Sequence, residues 1–193
     1  MNILLRLLKI DSHHPKNGRF FTIAIDGRGG SGKSSLADYL QKLLPNFVFI
    51  NGDGYFEPIE DKMIWGAFND QRFINDVIKP LKQDNKFMYR LYDWHAEPHI
   101  AAKEIVVQSG FCLERCYSFT FNLDWDLKIW VETPKEVCLK RGIAREMMPR
   151  EQVDYVWQNV WQPQEDEYIE KHNPQLLADF VIDGTKDFEG QLD

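Results

Sequence analysis

The sequence predicts a doubly wound α/β fold, a mainly parallel sheet of about five strands with helices on both faces. Three observations carry this expectation. Short apolar, β-branched runs alternate with segments of helical spacing; a glycine-rich loop separates the first run from the first helix; and no internal repeat, low-complexity stretch or linker divides the chain. The 193 residues are enough for one well-buried core, so 1–193 reads as a single domain.

The elements follow in order. "MNILLRLLKI" carries Arg6 and Lys9 and is too short to span a bilayer, so residues 1–18 read as an N-terminal amphipathic helix or extension packing on the body. Membrane-surface binding is the other reading of that spacing. "RFFTIAID" (19–26) is a strand ending at the glycine loop, and "SSLADYLQKLL" (34–44) is a helix stopped by Pro45. "NFVFIN" (46–51) is the next strand, followed by the turn-rich "GDGYFEP". "RFINDVIKPLKQ" (72–83) reads as a helix ending near Pro80, while "EIVVQS" (104–109), "LKIWVE" (127–132) and "DFVID" (179–183) supply the remaining strands.

Composition narrows the function classes. A net charge of −7 argues against a nucleic-acid grip, which needs a basic face. Cys112, Cys116 and Cys138 form no CxxC pair and have no histidine beside them, which argues against a zinc cluster or a disulfide framework. The start of the chain lacks a secretory cleavage pattern, and a reducing, cytoplasmic setting follows as the expectation.

The glycine loop, Gly27-Arg28-Gly29-Gly30-Ser31-Gly32-Lys33-Ser34, matches G-x(4)-G-K-[ST] in the strand–loop–helix setting that this motif requires. Glycines allow the positive φ that turns successive N–H groups toward one anion, and the following helix adds its positive end. Gly27, Gly29, Gly30, Ser31, Gly32, Lys33, Ser34 and Ser35 are therefore candidates for holding ATP or another nucleoside triphosphate. Lys33 is expected to face solvent in the empty site and to reach the β- and γ-phosphates, with Ser34 offering its hydroxyl to Mg²⁺. The alternative is a glycine turn with an incidental lysine.

A phosphate cradle does not by itself separate a kinase from a GTPase or an ATP-driven machine. The guanine-reading [NT]KxD element is absent, "GTKD" (184–187) having the wrong spacing, and the chain has little room for the modules of a large ATPase. A small-molecule kinase needs a base near the γ-phosphate and cations for the migrating phosphoryl group. Asp53, at the end of the second strand, is the candidate base and a candidate metal neighbour; a simple Gly-Asp-Gly turn is the competing reading. Arg141 and Arg145, four apart on one helix face, are candidate lid cations, with Arg150 beyond them; a solvated basic face is the alternative.

These residues resemble the uridine kinase-like branch of the P-loop kinases over roughly 20–185. "IDGRGGSGKSSLA" looks like the family's phosphate loop, and "DGYF" (53–56) sits where the family carries D-x-[FY]-[FY], whose first aspartate is its catalytic base. "YDW" (92–94) is similar to its acceptor-pocket element, which implies substrate binding by Tyr92 and Asp93. "IWVETPKEVCLKRGIARE" is similar to its strand, helix and R-x-x-x-R lid entry, which implies a helical lid and its following helix within 141–172 and puts Arg141 and Arg145 on the phosphates.

Two departures stand out. The family closes its third strand with an acidic residue that helps hold Mg²⁺, as in "EG", whereas the run read here as that strand ends in Gln108-Ser109-Gly110; Glu132 closes a neighbouring run. A pyrimidine-contacting histidine of the family is replaced by Glu97, with His95 and His99 close by. Trp157 and Trp161, four apart and followed by the acidic run Glu165-Asp166-Glu167 and by Tyr168, read as a core stripe or as a cover for the acceptor pocket.

The function implied is transfer of the γ-phosphoryl group of ATP to a hydroxyl of a nucleoside-like small molecule, uridine or cytidine first, with no nucleic-acid or membrane partner and self-association left open. The rival readings are a nucleotide sensor or partner-binding protein with little transfer, motivated by Ser109, and a kinase for a non-nucleoside metabolite.

Overall fold

The computed structural model describes residues 3–12, 20–59, 62–68, 70–89, 103–121, 123–146 and 150–192. Its centre is a five-stranded, all-parallel sheet formed by β1 (Phe21–Gly27), β2 (Phe47–Asn51), β7 (Gly110–Glu114), β8 (Leu127–Glu132) and β9 (Phe180–Asp183), in the order β2-β7-β1-β8-β9. The strands are short apolar runs because both faces are covered, which removes any need for polar alternation. One cluster holds Ile23, Ile25, Leu36, Leu40, Cys112 and Ile129; a second, built around Tyr55, Phe73, Val77, Leu81, Phe87 and Phe111, fills another part of the core. Each fully buried Leu, Ile or Phe contributes roughly 1.5–3 kcal/mol.

Helix α1 (Ile3–Ser12) seats Leu7 in the first cluster and leaves Leu5 exposed. The expected helix after β1 is α2 (Lys33–Leu43). Two small antiparallel hairpins, β3 (Phe56–Ile59) with β4 (Lys62–Phe68) and β5 (Lys86–Tyr89) with β6 (Lys103–Val106), stand outside the main sheet.

Two expectations are corrected here. The 104–109 run does not supply a main-sheet strand: residues 103–106 pair with β5, and the strand that enters the sheet is Gly110–Glu114. Gly110 permits that entry, because a Cβ there would lie 2.0 Å from the Phe47 ring. Nor does Pro80 end its helix. The chain runs from α3 (Asp70–Phe73) through a π-turn (Ile74–Ile78) into α4 (Lys79–Asp84), and the Lys79 N–H donates five residues back to Ile74. The wider turn just ahead of the proline accommodates its missing donor and its ring.

After β8 come α5 (Lys135–Arg145), α6 (Arg150–Val156), a second π-turn (Trp157–Trp161), α7 (Gln162–His172) and α8 (Pro174–Leu177). Pro163 follows this π-turn as Pro80 follows the first. No helix among the described residues is long and apolar enough to cross a membrane. The three cysteines are free thiols.

Candidate active site

Because the strands are parallel, their C-terminal ends share one edge, and β1 has neighbours on both sides there: the crevice where open α/β sheets take ligands. The glycine loop leaves β1 at this edge. Gly30 and Gly32 have φ of 78° and 107°, left-handed values that favour glycine, and a Cβ on Gly30 would come within 2.4 Å of the Cys138 carbonyl oxygen. Gly32 then caps α2, so the positive end of an 11-residue helix points into the loop. Thr133, just past β8, donates its hydroxyl to the Ser31 carbonyl at 2.8 Å and fixes the far side.

Lys33 does not face solvent as expected. It is 6 % exposed, and its Nζ donates to the Arg28 carbonyl at 2.8 Å and to Cys116 Sγ at 3.3 Å. The ammonium folds back over the loop because the loop's own carbonyl meets its need for an acceptor once water is excluded.

Ser34 Oγ lies 3.3 Å from Glu114 Oε1. Glu114 ends β7, the strand beside β1, with Ile25 opposite on one side and Asn51 on the other. The strand that enters the sheet therefore ends in a carboxylate, Glu114, five residues beyond Ser109. Ser109, which motivated the sensor reading, is buried at the opposite edge, where its carbonyl accepts the Phe21 N–H at 3.0 Å. Glu132 is exposed and accepts from Trp130 Nε1 at 2.6 Å.

A second acidic group lies beneath the loop. Asp26, fully buried, accepts the N–H groups of Gly27 (2.7 Å), Tyr117 (2.9 Å) and Phe119 (3.2 Å) and the Tyr168 hydroxyl (2.7 Å). Burial raises its pKa above the usual carboxylate value, against the pull of the Tyr168, Phe119 and Gly27 donors and of Lys33. From α7, Glu165 accepts the Gly29 N–H at 2.7 Å, and Arg28 reaches Asp166 at 2.7 Å and Glu165 at 3.5 Å. Burial raises the Glu165 pKa too. Trp157 is buried, with its ring 2.8 Å from where a Gly29 Cβ would be. The Trp157–Glu165–Tyr168 stripe thus packs on the glycine loop. Sequence reasoning missed Asp26, Glu114 and the loop contacts of Glu165; the acidic end of the run "GFCLE" and the aspartate just before the loop were the available signals.

A cavity of about 480 Å³ brings together Gly30, Gly32, Lys33, Ser34 and Ser35, the α5 arginines Arg141 and Arg145, and the loop Gly184–Phe188 after β9. Gly27, Gly29 and Ser31 lie outside its lining. Arg141 Nη1 donates to the Gly184 carbonyl at 2.9 Å, and the Arg145 guanidinium lies 5.9 Å from the Trp157 ring centre. Asp53 falls in a 3₁₀ turn (Gly52–Tyr55) at the C-terminal end of β2, on the same sheet edge with β7 between it and β1. The Arg72 guanidinium stacks on Tyr55 at 4.5 Å and donates to the Gly54 carbonyl at 3.2 Å, pinning this turn. Arg150 opens α6; Tyr92, Asp93, His95, Glu97 and His99 lie outside the described residues.

No protein-family model matches the chain. It is 26 % identical over 174 residues to the uridine kinase of Ureaplasma urealyticum serovar 10, covering 77 % of this chain and 81 % of that one. With nicotinamide riboside kinase 1 of Rattus norvegicus it is 28 % identical over 178 residues, 88 % of each chain. Solved structures share its fold, among them two that match nearly the whole chain. One, from Silicibacter sp. TM1040 and provisionally assigned as a fructose transport system kinase, has TM-score 0.68 and 18 % identity over 94 % of this chain and 98 % of that one. The other, from Bacillus stearothermophilus and provisionally assigned as a uridine kinase, has TM-score 0.64 and 16 % identity over 93 % and 97 %. The resemblance to uridine kinase-like P-loop kinases and the doubly wound fold expected from the sequence are both borne out.

Proposed function

We propose that this chain is an ATP-dependent phosphotransferase that acts on a hydroxyl group of a nucleoside, uridine or cytidine first, in a reducing, cytoplasmic setting. The carrying observation is the pairing of Ser34 with Glu114 at the mouth of the glycine loop, on the sheet edge that also bears the Asp53 turn. The similarity to uridine kinases and nicotinamide riboside kinases supports a nucleoside as acceptor.

The residues fit a nucleoside triphosphate and Mg²⁺. The Ser31 hydroxyl is buried without a hydrogen-bond partner among the described residues, and Ser34 with Glu114 offers the oxygen donors that Mg²⁺ requires. Ser34 and Glu114 would hold the ion, with Asp53 as a neighbour; when bound, Mg²⁺ would supply charge neutralisation to the triphosphate. Gly27, Gly29, Gly30, Ser31, Gly32 and Ser35 shape the cradle that binds the phosphates. Lys33 moves its ammonium from the Arg28 carbonyl to the β- and γ-oxygens.

Asp53 accepts the proton of the acceptor hydroxyl as its oxygen bonds to the γ-phosphorus, and the bond from that phosphorus to the β,γ-bridging oxygen breaks to release ADP. Arg141 and Arg145 stabilise the charge that develops during transfer. Tyr92 and Asp93 position the acceptor.

The test is an assay with MgATP and, in turn, uridine, cytidine and nicotinamide riboside, following ADP and the nucleoside monophosphate. Monophosphate formation with any one supports the reading. Tight ATP binding without product from any of the three overturns it.

A further inference from the structure

Beyond β9 the chain folds into the loop Gly184–Phe188, which walls one side of the cavity beside the glycine loop. On the inner side, Gly184 donates its N–H to the Glu132 carbonyl at 2.8 Å. Because β9 is an edge strand of the sheet, the outward backbone groups of Asp183 have no strand among the described residues to pair with.

One side chain meets that need. The Gln191 amide oxygen accepts the Asp183 N–H at 2.8 Å, and its nitrogen donates to the Asp183 carbonyl at 3.0 Å. Those two bonds reproduce what a neighbouring strand would give this residue. The same nitrogen donates to the Asp187 carbonyl at 2.8 Å, so the amide ties the two ends of the loop together. Inside the loop, the Asp183 carboxylate accepts from the Thr185 N–H (2.9 Å), the Thr185 hydroxyl (2.6 Å) and Lys186 (2.8 Å). Gln191 is held in turn by Leu192, which is buried in the cluster that contains Leu7 of α1 and whose carbonyl accepts the Leu4 N–H at 3.3 Å.

We propose that Gln191 is a positioning residue for the donor nucleotide: it holds the 184–188 loop in the shape that completes the pocket wall. Gln191 is not part of the cavity lining, so its effect passes through the loop. This rests on reading the cavity as the nucleoside triphosphate site.

Two variants test it. Gln191→Ala removes all three bonds. Gln191→Glu keeps the acceptor for the Asp183 N–H but turns its other oxygen toward two carbonyl oxygens. The KM for MgATP and the calorimetric Kd for ADP should rise about tenfold in Gln191→Ala and further in Gln191→Glu, the scale of a few lost hydrogen bonds. The acceptor KM, and kcat at saturating MgATP, should stay within about twofold, a split that general weakening of the fold would not produce.

If neither variant folds, hydrogen exchange on the unsubstituted protein decides. MgATP should slow amide exchange across 184–188, and unchanged exchange there overturns the proposal. Variants that bind nucleotide as tightly as the unsubstituted protein overturn it alone; an unsubstituted protein that binds no nucleotide overturns the reading of the cavity and this proposal with it.

Discussion

Glu165 accepts the backbone N–H of Gly29 at 2.7 Å, across 136 residues of sequence. A carboxylate from α7 therefore braces the outside of the glycine loop, while Arg28 beside it binds Glu165 and Asp166. Burial raises the Glu165 pKa above its ordinary 4.5. A raised carboxyl contributes stability that is fully present below that ordinary value and is lost as pH rises through the folded one.

Glu165→Gln keeps the acceptor for Gly29 and removes the titration. The stability of wild type relative to this variant should be constant below about pH 4.5 and fall as pH rises toward neutrality, read from urea midpoints across that range. A difference that does not change with pH would refute the buried-carboxylate account.

Lys33→Met keeps the aliphatic stem and deletes the ammonium. Phosphoryl transfer should fall by about 10²-fold or more, while the thermal midpoint and circular dichroism remain those of a folded protein. Normal turnover would sink the assignment of the glycine loop, and an unfolded variant would show that the Arg28 and Cys116 contacts of Lys33 are structural.

Glu114 and Ser109 should part company. Glu114→Gln is expected to raise the Mg²⁺ concentration needed for half-maximal transfer by about tenfold or more, the range seen when groups around a metal are lost. Ser109→Ala, at the far edge of the sheet, should leave the Mg²⁺ titration where it was. A Mg²⁺ response to Ser109→Ala, or none to Glu114→Gln, would reverse the assignment.

Asp53→Asn should lower kcat by roughly 10²-fold with the ATP Kd little changed, as befits a lost general base. Full activity in steady-state assays would return Asp53 to a turn-forming role.

Arg145→Ala should slow transfer more than it weakens ATP binding, because a cation proposed to meet the migrating phosphoryl group counts most when charge develops in the transition state. Arg141→Ala should weaken both, since its guanidinium also holds the Gly184 carbonyl of the pocket wall. Calorimetry beside single-turnover rates separates the two arginines; identical losses would erase the distinction.

The glycine loop and the helix after it were legible in the sequence because their chemistry is local. Eight consecutive residues carry the positive φ values, the helix start, the lysine and the hydroxyl, and no distant contact is needed to recognise them. The alternation of short apolar runs with helices likewise determined a parallel sheet, since a strand buried on both faces must be apolar throughout. Which run entered that sheet was a different matter. Residues 104–107 and 110–113 are both apolar enough to be strands, and only the pairing of 103–106 with β5, together with the Phe47 ring over Gly110, decided that Glu114 and not Ser109 meets Ser34. Asp26 under the loop, Glu165 against Gly29 and Gln191 across Asp183 and Asp187 were decided the same way, by tertiary structure. Each is a polar group whose role comes from a backbone N–H or carbonyl that only the folded chain brings within hydrogen-bond reach, and sequence spacing carries no record of such a neighbour.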